Sequence, residues 1–205
     1  MPDIGAIVLA AGGSTRMGRP KQLLAFNAQS MLRHVTEVAV AAGCAPIVVV
    51  LGCQHERMLG ELEGMPVVAA ANLCWKDGIG TSIRHGAATL IGLRPTIGAI
   101  AVLLGDQPLV TADSLRALFE LFERSRRDVC VSGYRGTIGP PVVVGRSRFA
   151  ALRSLPDSQG AKAIWSACLD DVAIHPCDPA GCDIDTPEEY ADVVRRGAAP
   201  IDEAT

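Results

Sequence analysis

Two kinds of residue in this chain suit chemistry on phosphates: glycines set among cations near the start, and acids placed just past apolar runs far downstream. The first kind fills Leu9-Ala10-Ala11-Gly12-Gly13-Ser14-Thr15-Arg16-Met17-Gly18-Arg19-Pro20-Lys21. Gly12, Gly13 and Gly18 let the backbone bend sharply and turn amide N–H groups toward an anion, while Arg16, Arg19 and Lys21 add positive charge. The spacing fits neither the GxxxxGK[ST] phosphate loop nor the GxGxxG dinucleotide fingerprint, so it reads as a polyphosphate cradle of another kind. A loop that merely joined a strand to a helix would leave these three cations repelling one another. The second kind begins with Leu103-Leu104-Gly105-Asp106-Gln107-Pro108-Leu109. A carboxylate at the end of a buried run is costly unless solvated or paired, and a magnesium ion (Mg2+) bridging phosphate oxygens is a fitting partner. Asp106 is therefore the first expected metal ligand, because Thr111 or Asp113 already supplies a cap for the next helix.

Two further segments read either way. In Cys182-Asp183-Ile184-Asp185-Thr186-Pro187-Glu188-Glu189-Tyr190, Thr186 with Glu189 fits a capping box and Pro187 suits a first helical turn, so helix initiation alone accounts for much of the pattern. In Asn72 to Arg84, Gly78, Gly80 and Ser82 open a helix whose free N–H groups suit the polar edge of a base or a phosphate. Trp75 reads there as core or hinge packing rather than as a stacking platform.

The elements that must carry these residues alternate along the chain. Ile4 to Ala10, Pro46 to Leu51, Pro66 to Ala70 and Ala99 to Leu104 are short Val-, Ile- and Ala-rich runs, as expected of strands buried on both faces. Ser30 to Ala42, Gln54 to Glu63, Gly80 to Ile91 and Ala112 to Arg126 have helical spacing. Such alternation predicts right-handed crossovers and a single-domain, Rossmann-like three-layer α/β/α fold with a mainly parallel sheet. In such sheets ligands gather past the carboxyl ends of the strands, where Gly12 and Asp106 stand. Beyond Asp128 to Ser132 the pattern is less regular. Gly133 to Pro141 is dense in Gly and Pro, and with Val142 to Val144 is compatible with a hairpin or a crossing strand. A helix over Gly160 to Cys168, a strand near Val172 to His175 and a helix over Pro187 to Arg196 complete a domain spanning 1–196. Residues 197–205 read as a mobile tail.

With 205 residues, 49% of them hydrophobic, the chain can bury a substantial core. A net charge of −3 with scattered basic residues argues against nucleic acid as a partner and for a small charged ligand. Without a basic leader or an apolar run long enough for a bilayer, the expectation is a cytoplasmic protein with no membrane partner. Seven cysteines in odd number read as reduced thiols. Cys177 and Cys182 lack the second ligand pair that structural zinc needs. His34, His55, His85 and His175 form no ligand pattern and read as surface or helix-face residues.

Leu9 to Gly12, Arg16 to Gly18 and Lys21 match the pattern LAAG, three variable residues, RMG, two variable residues, K. On these residues the chain resembles the MobA-like nucleotidyltransferase family, whose sheet is that of the nucleotide-diphospho-sugar transferases, and within it the molybdenum cofactor cytidylyltransferase branch. Ala11 is similar to that branch, where guanylyl enzymes usually carry glycine. The resemblance implies that Leu9, Ala10, Ala11, Gly12, Gly13, Arg16 and Lys21 hold the nucleotide, with CTP favoured. Gly105-Asp106-Gln107-Pro108 matches the family's GDxP, and the ending Asp183 to Tyr190 resembles its DIDTPEDY-like endings, which makes Asp185 the second metal ligand beside Asp106. Asn72 to Ser82 resembles the N-x-x-W-x-x-G-x-x-x-S segment bordering the base, which assigns Gly80 and Ser82 to base binding. The likeness weakens at the acceptor. Gly139-Pro140-Pro141-Val142-Val143-Val144 stands where the family shows G-H-P-V-x-F, and Asp157-Ser158-Gln159-Gly160-Ala161-Lys162 where it shows G-D-x-G-A-R. By this correspondence Pro141 and Lys162 face a molybdopterin-type phosphorylated acceptor, and the client is a molybdenum hydroxylase.

The implied reaction is in-line attack of the acceptor's phosphate on the α-phosphorus with loss of pyrophosphate, in which Arg16, Lys21 and Asp106 act on charge and position. A phosphate monoester is already mostly dianionic at neutral pH, which removes the need for a catalytic histidine. A guanylyltransferase, or another sugar-phosphate nucleotidyltransferase, would share the loop and the aspartates. A nucleotide-sensing cofactor-delivery protein, motivated by the altered acceptor segments, would bind and not turn over.

Overall fold

The computed structural model describes residues 3–14, 17–166 and 169–197. Within them the chain forms β1 (Ile4–Ala10), β2 (Ala25–Phe26), β3 (Gln29–Ser30), α1 (Met31–Ala41), β4 (Ile47–Leu51), α2 (His55–Leu59), β5 (Val68–Ala71), α3 (Ile79–Leu93), β6 (Ala99–Leu104), α4 (Ala112–Ser125), β7 (Val129–Tyr134), β8 (Thr137–Gly145), α5 (Phe149–Arg153), β9 (Val172–Pro176) and α6 (Pro187–Gly197). Seven strands share one sheet in the order β5-β4-β1-β6-β8-β7-β9. β1 is buried along its whole length and runs parallel to both β4 and β6. β8 is reversed, antiparallel to β6 and β7, and β9 is parallel to β7.

Alternation along β1 divides the core between the two sheet faces. Ala6, Val8 and Ala10 pack with Leu32 and Val35 of α1 and Leu115 and Leu118 of α4, whereas Ile7 and Leu9 pack with Ile83, Ala87 and Leu90 of α3 and Leu152 of α5. Helices on both faces of a mainly parallel sheet give the expected α/β/α layering. Because the chain leaves β1 for β4 on one side and reaches β6 on the other, the carboxyl end of β1 is a topological switch point, where a crevice opens.

Three local expectations are revised and one open reading is settled. β5 is an edge strand in which only Ala70 is buried, because no strand among the described residues pairs with its outer side. The helix expected over Gln54 to Glu63 shortens to α2 followed by a 3-10 turn at Gly60–Leu62, where Gly60 weakens helix continuation. Over 160–166 the described residues form a 3-10 turn, Ala161–Ile164, followed by the buried Trp165 and by Ser166, whose N–H and hydroxyl both donate to Lys162 O, at 3.1 and 2.6 Å; residues 167 and 168 lie outside the described residues. The Gly- and Pro-dense stretch is a hairpin between β7 and β8, turning at Arg135 and Gly136 with φ of 47° and 72°. Pro140 and Pro141 cannot donate to a ladder, and the register shifts between Val131 and Ser132 opposite them. The tail residues 198–205 lie outside the described residues.

The small hairpin of β2 and β3 had no turn signature in the sequence, since Asn27 and Ala28 take φ of 49° and 63° without a glycine. It contributes Phe26 to a third apolar cluster with Met17, Leu24, Met31, Ile184 and Val193, which holds the chain's end against its beginning.

How closely α3 approaches the sheet depends on Gly86, where a Cβ would stand 2.6 Å from Ile7 Cγ2 and 2.8 Å from Val50 Cγ2. Gly92 on the same helix faces open space. Helix propensity favours alanine at each by up to about 1 kcal/mol, but overpacking costs roughly 1–3 kcal/mol. Gly86→Ala is therefore expected to lower the denaturant midpoint and Gly92→Ala to raise it or leave it unchanged. A stabilised Gly86→Ala protein would contradict the packing described.

Candidate active site

The crevice is built by three links, two between backbone groups and one through a capping box. Asp106 follows β6 through Gly105, whose N–H donates to Leu9 O at 2.9 Å; a Cβ on Gly105 would lie 3.0 Å from that oxygen, so glycine allows the two strand ends to run this close. Ile184 N donates to Asp106 O at 3.1 Å, which sews the far end of the chain to β6. Finally, Glu189 Oε2 accepts from the N–H groups of Asp185 and Thr186 at 2.8 and 2.9 Å, while Thr186 Oγ1 accepts from Glu189 N at 3.2 Å. The capping box and the placement of Asp185 are thus one arrangement: helix initiation fixes the backbone that presents the acid.

Lys21 closes the constellation. Its Nζ donates to Asp106 Oδ2 at 2.5 Å and to Asp185 Oδ1 at 2.9 Å. Its own backbone N–H is held by Ser14 Oγ at 3.1 Å, within a loop where Ser14 and Gly18 have φ of 50° and 64°. Gln22, buried, spans the loop: Nε2 donates to Ala10 O and Gly12 O, both at 3.3 Å, and Oε1 accepts from Ser14 Oγ. Arg16 lies outside the described residues.

Charge is concentrated here at low solvent access. Burial works against the Lys21 ammonium, but Asp106 and Asp185 outweigh it and hold its pKa above 10.5. Burial pushes the Asp106 carboxyl up against the pull of Lys21, with Asp183 and Asp185 adding to the push. Two carboxylates closing on one ammonium form a pair fit to hold a cation. Mg2+ and similar hard ions commonly take one or two carboxylates and complete their shell with water and substrate phosphates. Among the described residues no group of three or more His, Cys, Asp or Glu is arranged to hold an ion unaided. Asp106 and Asp185 therefore fit a divalent ion that shares phosphate oxygens with a substrate.

Beside the cluster lies a cleft of about 250 Å³ whose walls include Leu9, Ala11, Gly12, Lys21, Ser82 and Asp106. Ala10 points to the opposite sheet face, and Gly13 lies just outside the lining. Gly80 packs against the loop before Gly160: its N–H donates to Asp157 O at 2.8 Å, and a Cβ would stand 2.0 Å from Pro156 O. Ser82 Oγ accepts from Asn72 Nδ2 at 3.0 Å. Trp75, read from the sequence as packing, is half-buried on the cleft wall, opposite Ala11 across Gly52. Pro141 is buried in β8 over a small apolar cavity with Val35 and Leu115, and Lys162 is exposed on the Ala161–Ile164 turn; neither lines the cleft.

Gln22, Asn72 and Gln107 are the site residues that sequence reasoning missed as such. Asn72 orders the α3 start by also donating to Thr81 Oγ1 at 2.8 Å, and Gln107 Nε2 donates to Ala180 O and Pro140 O at 2.6 and 3.2 Å. Each is a buried amide serving backbone groups, a role that only the neighbours reveal. His34, expected on a surface or helix face, is half-buried beside the Phe26 ring with Nε2 bonded to Pro108 O at 3.0 Å, and burial lowers its pKa.

The MobA-like NTP transferase domain matches residues 6–174. The chain belongs to that family. The match spans the loop and Asp106 and stops short of Asp185. Purine catabolism protein PucB of Bacillus subtilis is 30% identical over 209 residues, covering 95% of this chain and 97% of its own. Nicotine blue oxidoreductase of Paenarthrobacter nicotinovorans is 31% identical over 109 residues, covering 53% of this chain and 52% of its own. Among solved structures, Rv0371c of Mycobacterium tuberculosis superposes with a TM-score of 0.78 at 27% identity over 95% of this chain and 99% of that one. Rv0371c has also been solved in complex with manganese. The fold is thus shared with Rv0371c along almost the full length.

Removing the ammonium from this MobA-like site leaves two acids facing each other. Lys21→Met is expected to cost roughly 1–3 kcal/mol of stability near neutral pH, less than a fully buried pair because the side chains keep some solvent. The raised Lys21 pKa means its contribution is complete below 10.5 and fades only as pH rises past the folded value. The Asp106 shift is also upward, so acid removes the cost of its charge. The difference in unfolding midpoint between Lys21→Met and wild type should shrink as pH falls from 7 toward the carboxylate range; a gap constant with pH would contradict the acid cluster.

Proposed function

We propose that this protein transfers the CMP group of CTP to the terminal phosphate of a molybdopterin-type acceptor, releasing pyrophosphate, with Mg2+ as the working metal. One observation carries this reading: Lys21 bridges Asp106 and Asp185 at the mouth of a cleft whose wall is the glycine-rich loop. The preference for CTP rests on Ala11, which is buried on the cleft wall at the position where guanylyl members of the family carry glycine.

An oxygen of the acceptor phosphate attacks the α-phosphorus in line. The new P–O–P bond forms as the bond to the β-phosphate oxygen breaks, and the electron pair leaves with pyrophosphate. With a second pKa of about 6, the acceptor phosphate arrives mostly deprotonated and needs no base. The work of the chain is placement and charge. The Gly12 amide on the cleft wall faces the triphosphate, with Gly13 at the edge of the cleft, Ser82 and the α3 start border the base, and Lys21 exchanges carboxylate oxygens for those of the departing pyrophosphate. Arg16 shares the loop and adds to that charge. Asp106 and Asp185 hold the Mg2+, which when bound neutralises phosphate oxygens and orients them.

Incubation with molybdopterin, Mg2+ and each of CTP, GTP, ATP and UTP is expected to yield pyrophosphate with CTP foremost. Failure with every triphosphate would favour the binding-only reading. Asp106→Ala should abolish transfer while keeping a cooperative unfolding transition, and unchanged pyrophosphate release would remove Asp106 from the mechanism. Lys21→Ala should slow turnover on the order of a hundredfold or more.

A further inference from the structure

Beside the acid pair, on the side facing the β7–β8 hairpin, two guanidinium groups reach the same sulfur atom. Arg135 Nη2 stands 3.4 Å from Cys182 Sγ and Arg196 Nη1 stands 3.5 Å from it. Sulfur is a weak hydrogen-bond acceptor. Among the described residues, neither guanidinium has a carboxylate within ion-pair distance. Two like charges held together without a counter-charge favour an anion between them, and the planar fork of arginine suits the oxygens of a phosphate.

The surroundings fix Arg135 in this place. It leaves the left-handed turn at the tip of the hairpin, with φ of 47°, and lies across Gly181, where a Cβ would come within 3.2 Å of its Cδ and 3.3 Å of its Nε. Tyr134 covers the same glycine with its ring, and a Cβ on Gly139 would be 2.2 Å from its hydroxyl. Gly139 and Gly181 thus leave room for this Tyr-Arg pair. Cys182 in turn precedes Asp185 by three residues on the segment sewn to Asp106 by the Ile184 hydrogen bond.

We propose that Arg135 and Arg196 form the anion-binding wall for the acceptor's phosphate, with Tyr134 beside them. This rests on the phosphoryl acceptor of the proposed function. It gives acceptor recognition to residues that no motif marked. The chemistry recognised is a phosphate monoester approaching from the hairpin side.

The test compares Arg135→Gln, Arg196→Gln and Arg135→Lys with wild type. Each glutamine variant is expected to raise the acceptor KM about tenfold or more, as loss of a hydrogen bond to a charged group does, with CTP affinity by calorimetry and the unfolding midpoint unchanged. Arg135→Lys should recover part of the loss. An unchanged acceptor KM in both glutamine variants overturns the assignment, as does an equal loss of CTP affinity. If wild type shows no transfer to molybdopterin, the acceptor reading has failed, and inorganic phosphate observed by 31P NMR decides the site: binding to wild type but not to the Arg135→Gln/Arg196→Gln double variant keeps the anion wall, and equal or absent binding removes it.

Discussion

The short contact between one ammonium and two carboxylates, Lys21 with Asp106 and Asp185, is what the rest of the molecule arranges. Three charged side chains at low solvent access are costly to bring together, and they remain stable only because each is satisfied by the others. The loop delivers the cation, β6 delivers one acid and the start of α6 the other, from positions 85 and 164 residues along the chain. Their meeting point coincides with the switch point of the sheet, where two parallel strands diverge and leave a crevice.

The devices that hold this meeting are ordinary ones placed with consequence. A glycine at 105 lets two strand ends come close, one amide of Ile184 ties the last segment to β6, and a capping box sets the backbone of Asp185. Buried amides at Gln22, Asn72 and Gln107 hold loops by hydrogen bonding to backbone or hydroxyl groups, and Gln22 ties Gly12 on the cleft wall to the end of β1.

Much of this was legible in the residues. The apolar runs marked the strands and their alternation with helical spacing marked the layering, because both follow from local pattern; Asp106, just past a run, was picked out in the same way, whereas Asp185 came from the resemblance, since its own segment reads as helix initiation. What was not legible depended on tertiary neighbours. β5 has the composition of a buried strand but lies at an edge, and the turn at Asn27 and Ala28 lacks the glycine that would announce it. The segment after Gly160 has helical spacing, yet the chain forms a 3-10 turn at Ala161–Ile164. Pro141 and Lys162 were placed by correspondence to a motif, whereas the fold buries the first in β8 and leaves the second on an exposed turn. Arg135 and Arg196 belong to no motif and are joined only by folding.

Nucleotide binding is expected to move positive charge from the acid pair onto the triphosphate. A crystal structure of the protein with CTP and Mg2+ should show a metal ion touching carboxylate oxygens of both Asp106 and Asp185 and a phosphate oxygen, with Lys21 Nζ moved onto the triphosphate. A structure with the nucleotide seated in the cleft and Lys21 still bridging the two acids, with no metal between them, would contradict it.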